Sequence, residues 1–199
     1  IFTTDLTYID VARNTLVEQV LQSDCTHVLF LDTDMVFPPN TIEILLAHDK
    51  DAVSGLYFLR KNISPAVQEF KDGSYKRMQG VPKEPLAKVD AVGFGCILIK
   101  RQVLEKLREK HGLCFRTVVK STSEGMSEDT YFCDLCRQEK IDIFWDALSS
   151  ETKEIRLLEY RDVKGNTDFQ IVTNNEVQKN IVEKLGLSKY TPLSQQPKK

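Results

Sequence analysis

No run of the roughly 18 apolar residues that a membrane-spanning helix needs occurs in this sequence, and no charged segment followed by an apolar one opens it. A soluble domain with no transmembrane segment is the expectation. Charge of one sign is lacking too: 27 Lys and Arg against 29 Asp and Glu leave a formal net charge of -2, too small for a broad field aimed at nucleic acid or a membrane surface. Cysteine is sparse. Cys25, Cys96, Cys114, Cys133 and Cys136 form an odd set scattered among apolar neighbours. Small secreted domains carry dense cysteine frameworks instead, so a reducing, cytoplasmic compartment fits better. Internal repeats and low-complexity blocks are absent. So is an initiator methionine, and Ile1 to Thr4 reads as the tail of a strand already in progress, as expected of a piece of a longer chain missing N-terminal sequence.

What is present is an ordinary globular composition, 41% hydrophobic and 28% charged over 199 residues, enough to bury the core of one compact domain. We read that domain over residues 1–190 and a disordered tail over 191–199. Ile9, Val11, Ala12, Leu16, Val17, Val20 and Leu21 recur at helical spacing, as in a helix packed on a sheet. Ser23-Asp24 ends it. His27-Val28-Leu29-Phe30-Leu31 is then a continuous apolar run of strand length, expected of a central strand covered on both faces. Pro38-Pro39-Asn40-Thr41 starts a second helix with Ile42, Leu45 and Leu46 on one face, and Ala52 to Leu56 is the next strand. This alternation argues for an α/β domain with a mostly parallel central sheet and helices on its faces.

Val67 to Phe70 and Tyr75 to Met78 flank Lys71-Asp72-Gly73-Ser74, the turn chemistry of a small antiparallel hairpin. Cys96 to Ile99 reads as a buried strand, joined by Gly93-Phe94-Gly95 to what precedes it. Arg101 to Lys110 reads as an amphipathic helix with Val103, Leu104 and Leu107 inward. Leu113 to Met126 is polar and aperiodic, the pattern of a mobile loop. A helix from Glu128 to Gln138 and a strand from Ile141 to Trp145 follow.

The sharpest chemical feature is Asp32-Thr33-Asp34, two carboxylates separated by one residue directly after a buried strand. In extended chain they point to one side. At the carboxyl end of a strand in an α/β sheet they face the crevice where such sheets bind ligands. Paired hard oxygen donors favour Mn²⁺ or Mg²⁺, which keeps other positions for water and phosphate oxygens. Standing alone, an Asp-x-Asp is more often a solvated acidic turn. Glu128-Asp129, alone, is more often a helix cap.

The neighbours carry more. Ala12-Arg13-Asn14 on a helix, then a strand ending in Phe30-Leu31-Asp32-Thr33-Asp34, resembles the donor half of family 2 glycosyltransferases with the GT-A fold. Gly93-Phe94-Gly95 and Ser127-Glu128-Asp129 are similar to the acceptor half in order and approximate spacing. The resemblance covers roughly residues 9–145. It implies a Rossmann-like, three-layer GT-A domain that transfers a sugar from a nucleoside-diphosphate sugar to an acceptor hydroxyl with inversion. Asp32 and Asp34 would hold the metal, and Arg13, Asp32, Thr33 and Asp34 would face the donor, with Arg13 pairing with phosphate or steadying an aspartate. Asp129 would be the catalytic base, with Glu128 orienting it or binding acceptor. The polar stretch before Glu128 would close over the donor.

The chain departs from that pattern at two points. Asp146 to Ile155 contains no histidine, where many relatives place a further metal ligand, and the usual first strand is not seen. Two rivals stay open. Leu31 to Val36 also resembles the nucleophile motif of haloacid-dehalogenase-type phosphatases, although Asp162 and Asp168 make no convincing later acidic pair. A non-catalytic GT-A module that binds nucleotide sugar is the other. Of the lesser features, Cys133-x-x-Cys136 is read as core packing rather than half of a zinc or redox site. His27 and His48 are read as structural. Tyr57 and Trp145 are candidates for stacking on a sugar, and Ser54 to Tyr57 with Arg60 for lining a pocket.

Overall fold

A computed structural model describes residues 8–32, 35–36, 40–57, 65–78, 84–121, 125–146, 159–161 and 167–168. Its elements begin with α1 (Ile9–Leu21), β1 (His27–Leu31), β2 (Met35–Val36), α2 (Thr41–Ala47) and β3 (Ala52–Gly55). A run of short strands follows: β4 (Val67–Lys71), β5 (Ser74–Arg77), β6 (Leu86–Val89) and β7 (Ala91–Val92). Next come β8 (Cys96–Lys100), α3 (Arg101–His111), β9 (Val118–Val119), β10 (Gly125–Met126) and α4 (Glu128–Gln138). The chain ends its described part with β11 (Ile143–Asp146), β12 (Glu159–Arg161) and β13 (Thr167–Asp168).

The central sheet has five strands in the order β1-β8-β3-β11-β6. It is mixed. Only β3 and β11 pair in parallel, whereas β1–β8, β8–β3 and β11–β6 are antiparallel. This corrects the mostly parallel sheet expected from the alternation of helices and strands. A helix between two strands does return the chain in the same direction, and β1 and β3, joined through α2, do point the same way. Between β3 and β8, however, the described residues form strands and no helix, and the chain arrives reversed, inserting β8 between its two predecessors.

The apolar run of β1 was expected in the middle of the sheet. Among the described residues it is instead the edge strand, with Phe30 buried and Leu31 42% exposed. Helices cover both faces. On one, Val17 and Val20 of α1, Val103, Leu104 and Leu107 of α3, and Phe132, Cys133, Leu135 and Cys136 of α4 pack with Phe30, Ile97, Ile99 and Trp145. On the other, Leu45 of α2 packs with Val53, Cys96 and Leu98. The alternation of side chains along β1 and β8 accounts for the split, since neighbours on a strand face opposite layers.

The hairpin β4–β5 forms where the sequence places it, with Asp72 and Gly73 both at positive φ, 52° and 75°. Two such residues make the tight turn whose twist matches the strands it joins. It extends to a three-stranded sheet through β7. The segment read as a mobile loop is built differently. Cys114 and Phe115 are buried and β9 pairs with β10. The reason is tertiary: the Asn14 side chain accepts the amides of Cys114 and Phe115, each at 3.1 Å, and donates to the Phe115 carbonyl at 2.7 Å. A local polar pattern carries no trace of that latch.

Two helical stripes also differ from their spacing. In α1, Ile9 and Val11 are exposed while Arg13 is buried, and in α2, Ile42 and Leu46 are exposed while Leu45 is buried. No helix among the described residues is long and apolar enough to cross a membrane. The tail over 191–199 lies outside the described residues.

Candidate functional site

Arg13 is the least expected buried residue of the chain. Its side chain is 9% exposed and its Nη1 donates to Glu128 Oε1 at 2.7 Å, a contact between residues 115 apart in sequence. Beneath the guanidinium lie Phe94, 4.9 Å from its carbon to the ring centroid, and Phe115 at 5.8 Å. Those rings belong to a close aromatic group: Phe94 meets Phe115 at 5.1 Å, Phe132 at 5.0 Å and Phe30 at 5.3 Å, mostly edge to face. Such pairs add about 0.5–1.5 kcal/mol each beyond their buried area. The platform sets Arg13 in place, and a desolvated cation on it requires the carboxylate that Glu128 supplies.

Glu128 and Asp129 form the first turn of α4, where negative charge is favoured by the helix dipole. The cap itself is Ser127, whose hydroxyl accepts the Thr130 amide and donates to Asp129 Oδ1. Asp129 Oδ1 also accepts the Thr130 amide at 3.2 Å. Burial, then the charge of Asp129, raise the pKa of Glu128 above its ordinary value, outweighing the opposing pull of its own amide and of Arg13.

The third wall is Tyr57, just beyond β3. Its hydroxyl accepts the Gly95 amide at 3.1 Å. Gly95 in turn accepts the Asp32 amide through its carbonyl, also at 3.1 Å, so the aspartate that follows β1 hangs from the same residue. Burial pushes the Tyr57 phenol well up, against the Gly95 amide, and the charges of Asp129 and Asp32 push it further, against Arg13. The phenol therefore stays protonated and senses all three charged groups. Gly93 must lack a side chain here, because a Cβ would stand 2.1 Å from the Tyr57 hydroxyl oxygen.

Tyr57 and Gly95 thus link to the Asp32 backbone, the charges of Asp32, Asp129 and Arg13 act on the Tyr57 phenol, and Glu128 joins them through Arg13. Thr33, Asp34 and Arg60 lie outside the described residues. Among the described residues, no group of three or more His, Cys, Asp or Glu could hold a metal ion. The backbone of β12 pairs with β2, Tyr160 against Met35, so the late part of the chain returns beside the aspartate motif. Spacing held no sign of that return.

Other expectations sort clearly. Trp145 is 1% exposed and packs in the core, which removes it from any sugar-stacking role. Ser54 donates to the Cys96 carbonyl at 3.0 Å, tying β3 to β8. Cys133 and Cys136 are fully buried among apolar neighbours, and all five cysteines are free. Burial raises the Cys133 thiol to about 12, far from the range of a reactive thiolate. In the sequence, Asn14 and Ser127 stand only as parts of the Ala12-Arg13-Asn14 and Ser127-Glu128-Asp129 motifs. Their signal was position: an amide side chain beside a buried arginine, and a hydroxyl one residue before two acids at a helix start.

No family model matches the chain, and no curated protein does. Among solved structures, the crystal structure of A197 from STIV is similar to it, with a TM-score of 0.52 and 21% identity, over 79% of this chain and 69% of that one. That likeness is one of fold. It supports a mixed α/β domain with an antiparallel-plus-parallel central sheet and, among the described residues, four helices.

Proposed function

We propose that this domain is a GT-A-type glycosyltransferase that moves a sugar from a nucleoside-diphosphate sugar to an acceptor hydroxyl with inversion at the anomeric carbon. One observation carries the reading: Arg13 is paired with Glu128 beside Asp129, and the charges of Asp129, Asp32 and Arg13, drawn from both halves of the chain, all act on the Tyr57 phenol. An acidic turn and a helix cap with unrelated roles would not need to act on one phenol.

The donor set of Asp32 and Asp34, hard carboxylate oxygens one residue apart in sequence, suits Mn²⁺ or Mg²⁺. When bound there, such an ion would neutralise charge on the departing diphosphate. The remaining work falls to the chain itself. Asp129 accepts the proton of the attacking hydroxyl, and its Oδ1 is oriented by Ser127 and the Thr130 amide. Glu128 fixes the first turn of α4 to α1 through Arg13. Arg13 acts here as a positioning residue for the acidic turn, rather than as a ligand of the diphosphate. Tyr57 holds Gly95, and through it the Asp32 backbone, at a set depth.

The test is a panel of nucleoside-diphosphate sugars with Mn²⁺. Metal-dependent donor binding should be lost in Asp34→Ala, and turnover should be lost in Asp129→Asn with donor binding intact. A product that keeps the donor's anomeric configuration refutes the displacement mechanism. Donor binding with no turnover on any acceptor would leave a binding module. Release of phosphate from simple phosphomonoesters through a phosphorylated Asp32 would establish the phosphatase reading instead.

A further inference from the structure

Away from the Arg13 group, two buried polar side-chain atoms, His48 Nε2 and Asp146 Oδ1, have no hydrogen-bond partner among the described residues. They belong to one pair of residues. His48 caps the end of α2 and Asp146 ends β11, and His48 Nε2 stands 3.2 Å from Asp146 Oδ2. The separation is that of an ion pair, but the ring nitrogen is not aligned to make a hydrogen bond across it. Asp146 is 6% exposed and His48 22%. A carboxylate buried this far with one oxygen unpaired is costly unless a positive charge completes it. The nearby ammonium of Lys50 lies over the Phe144 ring at 4.7 Å.

The spacing fits a shared cation. Two donors each about 2.0–2.2 Å from one zinc-type ion stand about 3.0–3.5 Å apart at tetrahedral or octahedral angles. Imidazole with carboxylate is a donor set for Zn²⁺ and its first-row neighbours, in contrast to the all-oxygen sets that suit Mg²⁺. We propose that His48 and Asp146 bind a zinc-type divalent cation at the carboxyl end of β11, with the remaining coordination positions open to water or an anionic ligand.

This site is distinct from Asp32. Asp146 is level with Gly55 on β3, a Cβ at Gly55 would stand 3.1 Å from Cys96 Sγ on β8, and Cys96 is level with Leu31 on β1. The row spans three strand spacings, about 14 Å at roughly 4.8 Å each. His48 also lies on the face covered by α2, whereas Asp32 continues the alternation of Phe30 toward the face of α1 and α4. The inference therefore stands whether or not sugar transfer does.

The experiment is a Zn²⁺ titration of the full chain followed by the ring-nitrogen NMR signals of its three histidines. The His48 signal is expected to shift and saturate. Asp146→Asn should weaken that binding by more than the roughly tenfold that loss of an outer partner costs, and Asp32→Asn should leave it unchanged. A His48 signal that ignores Zn²⁺, or equal affinity in Asp146→Asn, overturns the proposal. So does a ring protonated on both nitrogens that stays so in saturating Zn²⁺. Should Asp146→Asn fail to fold, His48→Gln with Co²⁺ decides it: loss of the visible band of bound Co²⁺ supports the site, and its persistence overturns it.

Discussion

Arg13 and Asp32 flank the same phenol, yet they are held by opposite means. Arg13 is buried and clamped between a carboxylate and two aromatic rings. Asp32 is half-buried, and its backbone hangs from the Gly95 carbonyl at the end of an edge strand whose last residue, Leu31, is 42% exposed. The Arg13 wall is part of the core, so changes there should cost stability before they cost anything else. Asp32 is less buried than Arg13, and changes there should be felt in binding while the fold persists.

The largest effect is expected at Arg13→Ala. Breaking a buried pair leaves Glu128 desolvated and unpaired, which costs about 3–5 kcal/mol. Urea unfolding should show it, and in a double-mutant cycle Glu128→Gln should recover part of the loss. If Arg13→Ala cost less than about 1 kcal/mol, on the scale of an exposed pair, the contrast between the walls would collapse. Next comes Gly93→Ala, where the added methyl meets the Tyr57 hydroxyl. Overpacking of that kind costs about 1–3 kcal/mol. Adding Tyr57→Phe should relieve it, and thermal melts of the two variants would read the difference.

A smaller effect concerns pH. The Glu128 pKa is raised by burial and by Asp129, so the folded chain keeps a proton that the unfolded chain releases. Its contribution makes stability fall as pH rises from the ordinary glutamate value of 4.5 to the raised folded value, and flat above it. Comparing urea midpoints of the parent chain and Glu128→Gln across that acid range isolates the slope, which the variant should lack. The smallest change in stability is expected at Asp32→Asn, within about 0.5 kcal/mol as for other substitutions outside the core. The same variant should lose Mn²⁺-dependent donor binding by calorimetry, which would separate the two walls most directly.

Much of this molecule was legible beforehand. The helix at Glu128 to Gln138, the inward stripe of Val103, Leu104 and Leu107, and the Asp72-Gly73 turn all form as their residues predict. Each is local: a period, a cap or a φ preference acts within a few residues. The direction of β8 and the edge position of β1 depended instead on how the chain returned through four short strands. The burial of Arg13 broke the apolar stripe of its own helix, and only a partner 115 residues away explains it.

The sequence by itself therefore determined the four described helices, the strands β1, β3 and β8 and the β4–β5 hairpin, because those elements are set by near neighbours. Tertiary structure alone decided that Arg13 meets Glu128 over a phenylalanine platform, that Trp145 belongs to the core, and that His48 faces Asp146. A charge taken out of water must find its counterpart wherever the fold brings one, and no spacing along the chain records where that is.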